Sequence, residues 1–376
     1  MHDRQALQLG RKMLVGIRRH CVAVAVLTAD LLVTPCFASD PLGTAGPIRS
    51  FGSGSCNVSY AARMRGECDP PAIASTLPPG RRSQERVERA RLLISVLRVD
   101  QAVNELDTAI AEDPLNGSAL VLRARLKMPG RLDEAERDVN RALQIDPANS
   151  NALATRAFIV PGEKNSLGLR DATRALDIDP KNADALWIRS TIFVRMGRLD
   201  AAERDLDSAL ELEPDEPRTL LSRAEIRMRV GKTEDAGRDA TAVLALRRFD
   251  KGALQIRAVV HARSGDYAGA LDDLNVVLGK PADRSGVAPI RPDLVNLYVQ
   301  RALALARTGK PVEAKQDLDA IVTVGGVRAI LQMQLYLRSH GFPDVNLDGK
   351  RSDQLDEALQ ACFINDACGR GITIRG

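Results

Sequence analysis

The chain of 376 residues is poor in aromatic residues, which make up 3% of it and include a single tryptophan. Proteins that bind single-stranded nucleic acid stack the bases on aromatic side chains, so this composition argues against a nucleic-acid partner. Histidine is also scarce, with four in the whole chain. None of them has a neighbouring cysteine, serine or acidic cluster with the spacing that catalysis requires, and the common catalytic motifs are absent from the sequence. The sequence therefore predicts a protein that is not an enzyme and holds no cofactor.

Long apolar runs are lacking, which excludes a protein that crosses a membrane many times. The N-terminal segment has the order of a secretory signal peptide, with basic residues, an apolar run over 21–33 and the small residues Cys36 and Ala38. We expect cleavage after Ala38 and export to the periplasm, with translation starting at Met1 or Met13. The alternatives are an uncleaved leader that anchors the chain to a membrane and an N-terminus without function.

An excess of charge of one sign is also missing once the leader is set apart. Residues 1–38 contain five basic and two acidic residues, so they supply most of the formal net charge of +4. In the remainder, acidic and basic residues are interspersed. Long-range attraction to an anionic polymer is therefore weak, which again argues against nucleic acid.

Cysteine is absent from the long middle of the chain. After removal of the leader, two close pairs remain near the two ends, Cys56 with Cys68 and Cys362 with Cys368. In an exported protein this spacing predicts two local disulfides, although four cysteines allow three pairings. The alternative is a zinc site, but neither pair has the Cys-x2-Cys spacing and no histidine lies near either one. We therefore expect no bound zinc.

The middle of the chain is an internal repeat. Pro114, Pro147, Pro180 and Pro214 close segments that are 33, 33 and 34 residues apart, and the period continues to give seven units over residues 83–328. Apolar residues recur at helical spacing, which predicts two helices and a tight turn in each unit. The first helix of each unit carries a small residue midway: Ala90, Ala124, Ala157, Ser190, Ala224, Ala258 and Ala302. Five units have a glycine at the turn: Gly130, Gly197, Gly231, Gly265 and Gly309.

These features resemble the tetratricopeptide repeat. The resemblance implies an all-α superhelical solenoid of about seven helix-turn-helix repeats, whose concave surface binds an extended peptide or a partner helix. Pro161 and Gly162 depart from the pattern and predict a local irregularity in the third unit. Extrapolation of the helical register gives these candidates for the groove: Trp187, Leu221, Glu225, Gln255 and Val299. Alternatively, Trp187 fills a gap between two units.

An arginine precedes the small residue of every unit, and an acid follows 15 or 16 residues later in the second helix. An arginine beside the helix-packing residue is partly buried, so its charge needs a partner. We predict seven structural ion pairs: Arg89–Glu105, Arg123–Asp138, Arg156–Asp171, Arg189–Asp205, Arg223–Asp239, Arg257–Asp273 and Arg301–Asp317. The alternative is a row of arginines that grips an acidic ligand, but the matched acids would neutralise such a field.

Beyond the last repeat the pattern changes. A Gly341-Phe342 helix end, the Asp348-Gly349 loop and a following helix rich in alanine and leucine resemble the small peptidoglycan-binding domain of bacterial cell-wall proteins. The resemblance implies two short helices that flank the loop, over residues 329–376, and contact with peptidoglycan.

The same loop offers a rival interpretation. Asp344, Asn346 and Asp348, followed by Gly349, reproduce the first half of a calcium-binding EF-hand loop. Leu355 stands where the second half needs a bidentate glutamate. We therefore expect no metal at this loop.

The sequence thus predicts four segments: a signal peptide (1–38), a linker with one local disulfide (39–82), the repeat solenoid (83–328) and the C-terminal module (329–376). The predicted function is that of a non-enzymatic exported scaffold that binds a protein or peptide in its groove and docks to peptidoglycan. The alternative is a regulatory or accessory subunit whose C-terminal module only caps the solenoid and has no affinity for the wall.

Overall fold

A computed structural model of the chain describes residues 73–95, 97–128, 130–160, 162–279 and 294–364. These ranges contain helices and no strand. The helices of units 1 to 4 are α1 (Pro79–Ser95), α2 (Val99–Glu112), α3 (Gly117–Lys127), α4 (Leu132–Ile145), α5 (Ser150–Ile159), α6 (Asn165–Ile178), α7 (Ala183–Arg195) and α8 (Leu199–Leu212). Those of units 5 to 7 are α9 (Pro217–Arg229), α10 (Thr233–Leu246), α11 (Lys251–Ser264), α12 (Tyr267–Leu278), α13 (Val295–Arg307) and α14 (Pro311–Ser339). The predicted all-α solenoid of about seven helix-turn-helix units is confirmed, and α15 (Asp353–Ile364) follows it.

Local sequence explains where these helices begin and end. Asn116, Asn149 and Asn182 cap α3, α5 and α7, because each side-chain oxygen accepts a backbone N–H three residues later at 2.9–3.0 Å. The five turn glycines have φ between 74° and 90°, a left-handed conformation that favours glycine. The helix α1 begins at Pro79, inside the segment assigned to the linker, because proline fits the first turn of a helix.

The third unit is irregular, as the sequence predicted. A 3-10 turn at Gly162–Lys164 precedes α6. Gly168 stands where the other units have a buried alanine in the second helix, and a Cβ at this position would lie 3.0 Å from the carbonyl oxygen of Ala157. Glycine therefore lets α6 approach α5 closely.

The curvature of the stack follows from which helices meet. Each second helix packs against the first helix of the next unit, and most first helices also contact the first helix of the next unit. Within the described part of the chain, second helices do not contact one another to a comparable extent. The first helices are therefore closer together and line the inner side of the curve, which we call the inner face. The second helices form the outer side.

The buried apolar residues form three clusters. The first lies largely in units 1 to 4, the second largely in unit 5 and α11, and the third joins α12, unit 7 and the C-terminal residues. Met333, Leu337, Leu355 and Leu359 belong to the third cluster, so the C-terminal segment shares its core with the last repeat. The helix α14 changes direction at Gly326, where φ is 53° and ψ is −149°.

None of the described helices combines the length and the apolar character that a membrane span requires.

Candidate partner-binding surface

The structure places all seven arginines against the acids that the sequence assigned to them. In six units the guanidinium donates from both Nε and Nη2 to the two carboxylate oxygens at 2.6–3.0 Å: Arg123–Asp138, Arg156–Asp171, Arg189–Asp205, Arg223–Asp239, Arg257–Asp273 and Arg301–Asp317. In unit 1, Arg89 Nε lies 3.1 Å from Glu105 Oε1. Bidentate pairs are strong and directional, so they fix the two helices of a unit relative to each other.

Some of these arginines also reach the preceding unit. Arg123 Nη1 donates to Asp107 at 2.8 Å, and Arg223 Nη1 donates to Asp207 at 2.7 Å. Sequence analysis missed these contacts, although a signal exists: each extra acceptor lies two residues after the acid paired in the preceding unit. The pairs therefore join neighbouring units as well as the helices within a unit.

Two of the five groove candidates are buried. Trp187 is 3% exposed; its ring centroid lies 5.5 Å from that of Phe158, and its indole N–H donates to Ser222 Oγ at 3.0 Å. It therefore fills the gap between units, which was the alternative interpretation. Val299 is 1% exposed and belongs to the cluster shared by unit 7 and the C-terminal residues, so it is not available to a partner.

The other three candidates, Leu221, Glu225 and Gln255, are partly exposed on first helices. Burial raises the pKa of Glu225 to about 7; the charge of Arg229 opposes this shift and that of Asp250 adds to it. The Glu225 carboxyl therefore carries only part of its charge near neutral pH.

A cluster that sequence analysis did not find lies at the centre of the inner face. Asp184 Oδ2 accepts from Arg125 Nη1 at 2.8 Å, and Asp184 Oδ1 accepts from Arg218 Nη2 at 2.6 Å. The three residues, which we call the Asp184 cluster, belong to units 2, 4 and 5. The guanidinium of Arg218 also lies over the Trp187 ring, 4.1 Å from its centroid, in cation–π geometry.

The electrostatics of this cluster favour an ionised aspartate. Desolvation by burial would raise the pKa of Asp184, but the positive charges of Arg125 and Arg218 and their hydrogen bonds outweigh it and hold the pKa well below its usual value. The side chains remain reachable from solvent, with 31% of Asp184, 24% of Arg125 and 14% of Arg218 exposed.

An apolar depression adjoins the Asp184 cluster. It is shallow and partly open to solvent, and it is lined by Arg125, Met128, Thr155, Phe158, Trp187, Ile188 and Arg218. Sites for small molecules are usually larger and enclosed. This depression is a shallow apolar contact surface that does not enclose a ligand.

Hydrogen bonds from one buried side chain hold the C-terminal Asp-Gly loop in place. The buried side chain of Gln334 donates to Asp348 Oδ1 at 2.9 Å and to the carbonyl of Lys350 at 3.0 Å, and its oxygen accepts the Gly349 N–H at 3.0 Å. The backbone N–H of Lys350, which donates to Asp348 Oδ1 at 2.9 Å, and the Gln334 side chain together lower the pKa of Asp348. Among the described residues, no group of three or more His, Cys, Asp or Glu side chains is arranged to hold a metal ion.

Of the four cysteines predicted to form disulfides, the structure describes Cys362 alone. Cys362 is fully buried and disulfide-bonded, but Cys368 lies outside the described residues, so its pairing with Cys362 stays a prediction. Cys56 and Cys68 lie outside the described residues too, as does the predicted signal peptide.

Comparison with known proteins identifies the repeat. A family model described as tetratricopeptide repeat matches residues 87–150, 163–217, 189–240 and 221–286, which together make up half of the chain. A comparison with curated proteins gives no match.

Solved structures resemble the chain at low identity. The Cut9–Hcn1 hetero-tetramer of APC/C is 15% identical, with a TM-score of 0.51 over 78% of this chain and 57% of that one. A tetratricopeptide repeat protein from Parabacteroides merdae is 20% identical, with a TM-score of 0.40 over 76% of this chain and 100% of that one. Pseudomonas aeruginosa pilF is 14% identical, with a TM-score of 0.45 over 55% of this chain and 95% of that one. The likeness to Cut9–Hcn1 supports the helical-repeat fold.

Proposed function

This chain belongs to the tetratricopeptide repeat family of protein-interaction scaffolds, and from that premise we propose that it binds an extended segment of a protein partner on its inner face without catalysing a reaction. The Asp184 cluster carries this proposal. It presents partly exposed charges next to a shallow apolar depression on the first helices of the repeat. Polar groups beside an apolar surface are what a peptide-binding site needs for orientation and affinity.

A selection from a library of random peptides displayed on phage, with the full chain immobilised, tests this proposal. The inner-face variant Leu221→Arg should lose binding of the selected peptides, because it puts a bulky charge on a partly exposed first-helix position. The matched control Val276→Arg should keep it, because Val276 is 52% exposed on the outer helix α12. Equal loss in both variants, or no peptide selected by the wild type, would contradict binding on the inner face.

We further propose that the protein is exported to the periplasm after cleavage behind Ala38, on the strength of its leader and its paired cysteines. Cell fractionation with sequencing of the N-terminus tests this directly. A mature protein that begins at Ser39 and has no free thiol is the expected result. A protein that keeps residues 1–38 with six free thiols would contradict export.

The C-terminal module has two candidate roles, contact with peptidoglycan and capping of the solenoid. Contact with peptidoglycan rests on the resemblance of the Asp348-Gly349 segment, whereas a capping role is favoured by the core that this segment shares with unit 7. Removal of residues 329–376 would cut α14 and expose that core. A sharper test is a peptidoglycan pull-down with the double variant Asn346→Ala and Leu347→Ser, which changes only exposed loop residues. Retention by the wall that is lost in this variant supports docking, and absence of retention in the wild type supports capping alone.

A further inference from the structure

We propose that Arg125 and Arg218 form a carboxylate-binding subsite that Asp184 occupies in the unbound protein, and that an Asp or Glu side chain flanked by an apolar residue in the partner displaces Asp184. The inference rests on the proposed function, since it names the chemistry of the segment that binds the inner face. In this view Asp184 is a resident competitor, which the partner must replace.

The guanidiniums of Arg125 and Arg218 each donate fewer hydrogen bonds to their carboxylate than the arginines of the bidentate intra-unit pairs do. In six intra-unit pairs each arginine donates from both Nε and Nη2, whereas Arg125 and Arg218 each give Asp184 a single Nη donor. The Nε of Arg218 is buried and has no hydrogen-bond partner. A buried donor without an acceptor is unfavourable, and a second carboxylate oxygen could satisfy it.

Displacement exchanges one carboxylate for another on the same two guanidiniums, and Asp184 keeps favourable surroundings afterwards. It lies in the first turn of α7, where the partial positive charge of the helix N-terminus favours an acidic side chain. Its side chain is already 31% exposed, so it can turn to water without leaving a buried charge behind. A partner carboxylate would take over both guanidiniums, whose charges would otherwise be left unpaired.

The surroundings define the rest of the ligand. Met128, Phe158 and Ile188 line the shallow depression beside the two arginines, so an apolar side chain next to the acidic one would pack against this lining. First helices continue the inner face on both sides of the cluster. A segment that passes through is therefore favoured, and the group recognised is a side-chain carboxylate, as in the resident Asp184.

The test uses the same phage library and full-length chain. Peptides selected by the wild type should be enriched in Asp or Glu next to an apolar residue. Asp184→Asn should bind those peptides about ten-fold more tightly, since it removes the competing charge and keeps the shape of the side chain. Asp207→Asn is the matched control, because Asp207 also lies between two arginines, Arg223 and Arg227, but on the outer helix α8. It should leave the affinity unchanged.

Three results would overturn the inference. One is selection of peptides without an acidic preference, in which case binding to the inner face stands and the carboxylate subsite does not. Another is unchanged or weaker binding by a folded Asp184→Asn variant, which would make the cluster a structural brace. The third is a preference for acidic peptides that persists in Arg218→Gln with circular dichroism like that of the wild type. Failure of the wild type to select any peptide contradicts the proposed function itself.

Discussion

At the scale of single residues, the same arginine–carboxylate contact lies in very different surroundings along the solenoid. In unit 7 both side chains, Arg301 and Asp317, are 0% exposed. In unit 1 the exposed fractions are 29% for Arg89 and 17% for Glu105, and Arg86 also bonds Glu105 at 2.9 Å. A buried charge that loses its partner cannot be rescued by water, whereas a partly exposed one can.

We therefore expect Asp317→Ala to lower the free energy of unfolding by about 3–5 kcal/mol, because it leaves the buried Arg301 without its carboxylate. Glu105→Ala should cost about 1 kcal/mol or less. Urea denaturation of both variants, followed by helical circular dichroism, measures the difference. Similar losses in the two variants would show that burial does not set the value of these pairs.

Glu225 gives the stability a pH dependence. Its pKa rises from an ordinary value of 4.5 to about 7 because burial disfavours the charged form. The folded protein therefore binds a proton that the unfolded chain has already released between these pH values, and the associated stability is lost as pH rises from about 5 to above 7. Glu225→Gln should raise the melting temperature at pH 8 and flatten its change from pH 5 to 8. The exposed Glu136→Gln on α4 is the control and should leave that profile unchanged.

Periodicity explains which of these residues could be predicted. The seven arginine–acid contacts occupy the same two positions in every unit, so one sequence shows the pattern seven times. Arg125, Asp184 and Arg218 occupy different positions in three units, at separations of 59 and 34 residues, and leave no such pattern. The burial of Trp187 depends on side chains of both neighbouring units, which helical register alone does not reveal.

At the scale of helices, the bend in α14 depends on one glycine. Gly326 has φ 53° and ψ −149°, close to a region that is almost restricted to glycine. Gly326→Ala should lower the free energy of unfolding by about 1–3 kcal/mol through backbone strain. Gly117→Ala is the control, since a Cβ at the start of α3 would lie at an ordinary 3.5 Å from Asn149 and should not destabilise. Thermal unfolding of both variants tests this prediction, and equal melting temperatures would contradict backbone strain in the Gly326→Ala variant.

At the scale of the whole repeat array, the three apolar clusters predict unfolding in parts. Where the first two meet, charged contacts join units 4 and 5: Glu203 accepts from Arg227 Nε at 3.1 Å and from Lys232 Nζ at 2.7 Å. Apart from the Arg125–Asp184 contact, which joins units 2 and 4, the helices of each repeat pack mainly against those of its immediate neighbours. Damage to one cluster should therefore stay local.

Leu153→Ala in the first cluster and Leu337→Ala in the third should each cost about 2–5 kcal/mol, because both side chains are almost completely buried. Hydrogen exchange followed by mass spectrometry should show lost protection mainly in units 1 to 4 for the first variant. For the second it should appear in unit 7 and α15. Loss of protection over the whole chain from either change would mean that the array unfolds as one unit.

The Asp184 cluster also limits how the gene can change in length. Both members of every intra-unit pair lie in the same repeat, so duplication or loss of a whole repeat leaves those pairs intact. The cluster instead joins units 2, 4 and 5, and an added or missing repeat among them would separate its members. Natural variants of this protein should therefore gain or lose repeats at the ends of the array and keep the central four together.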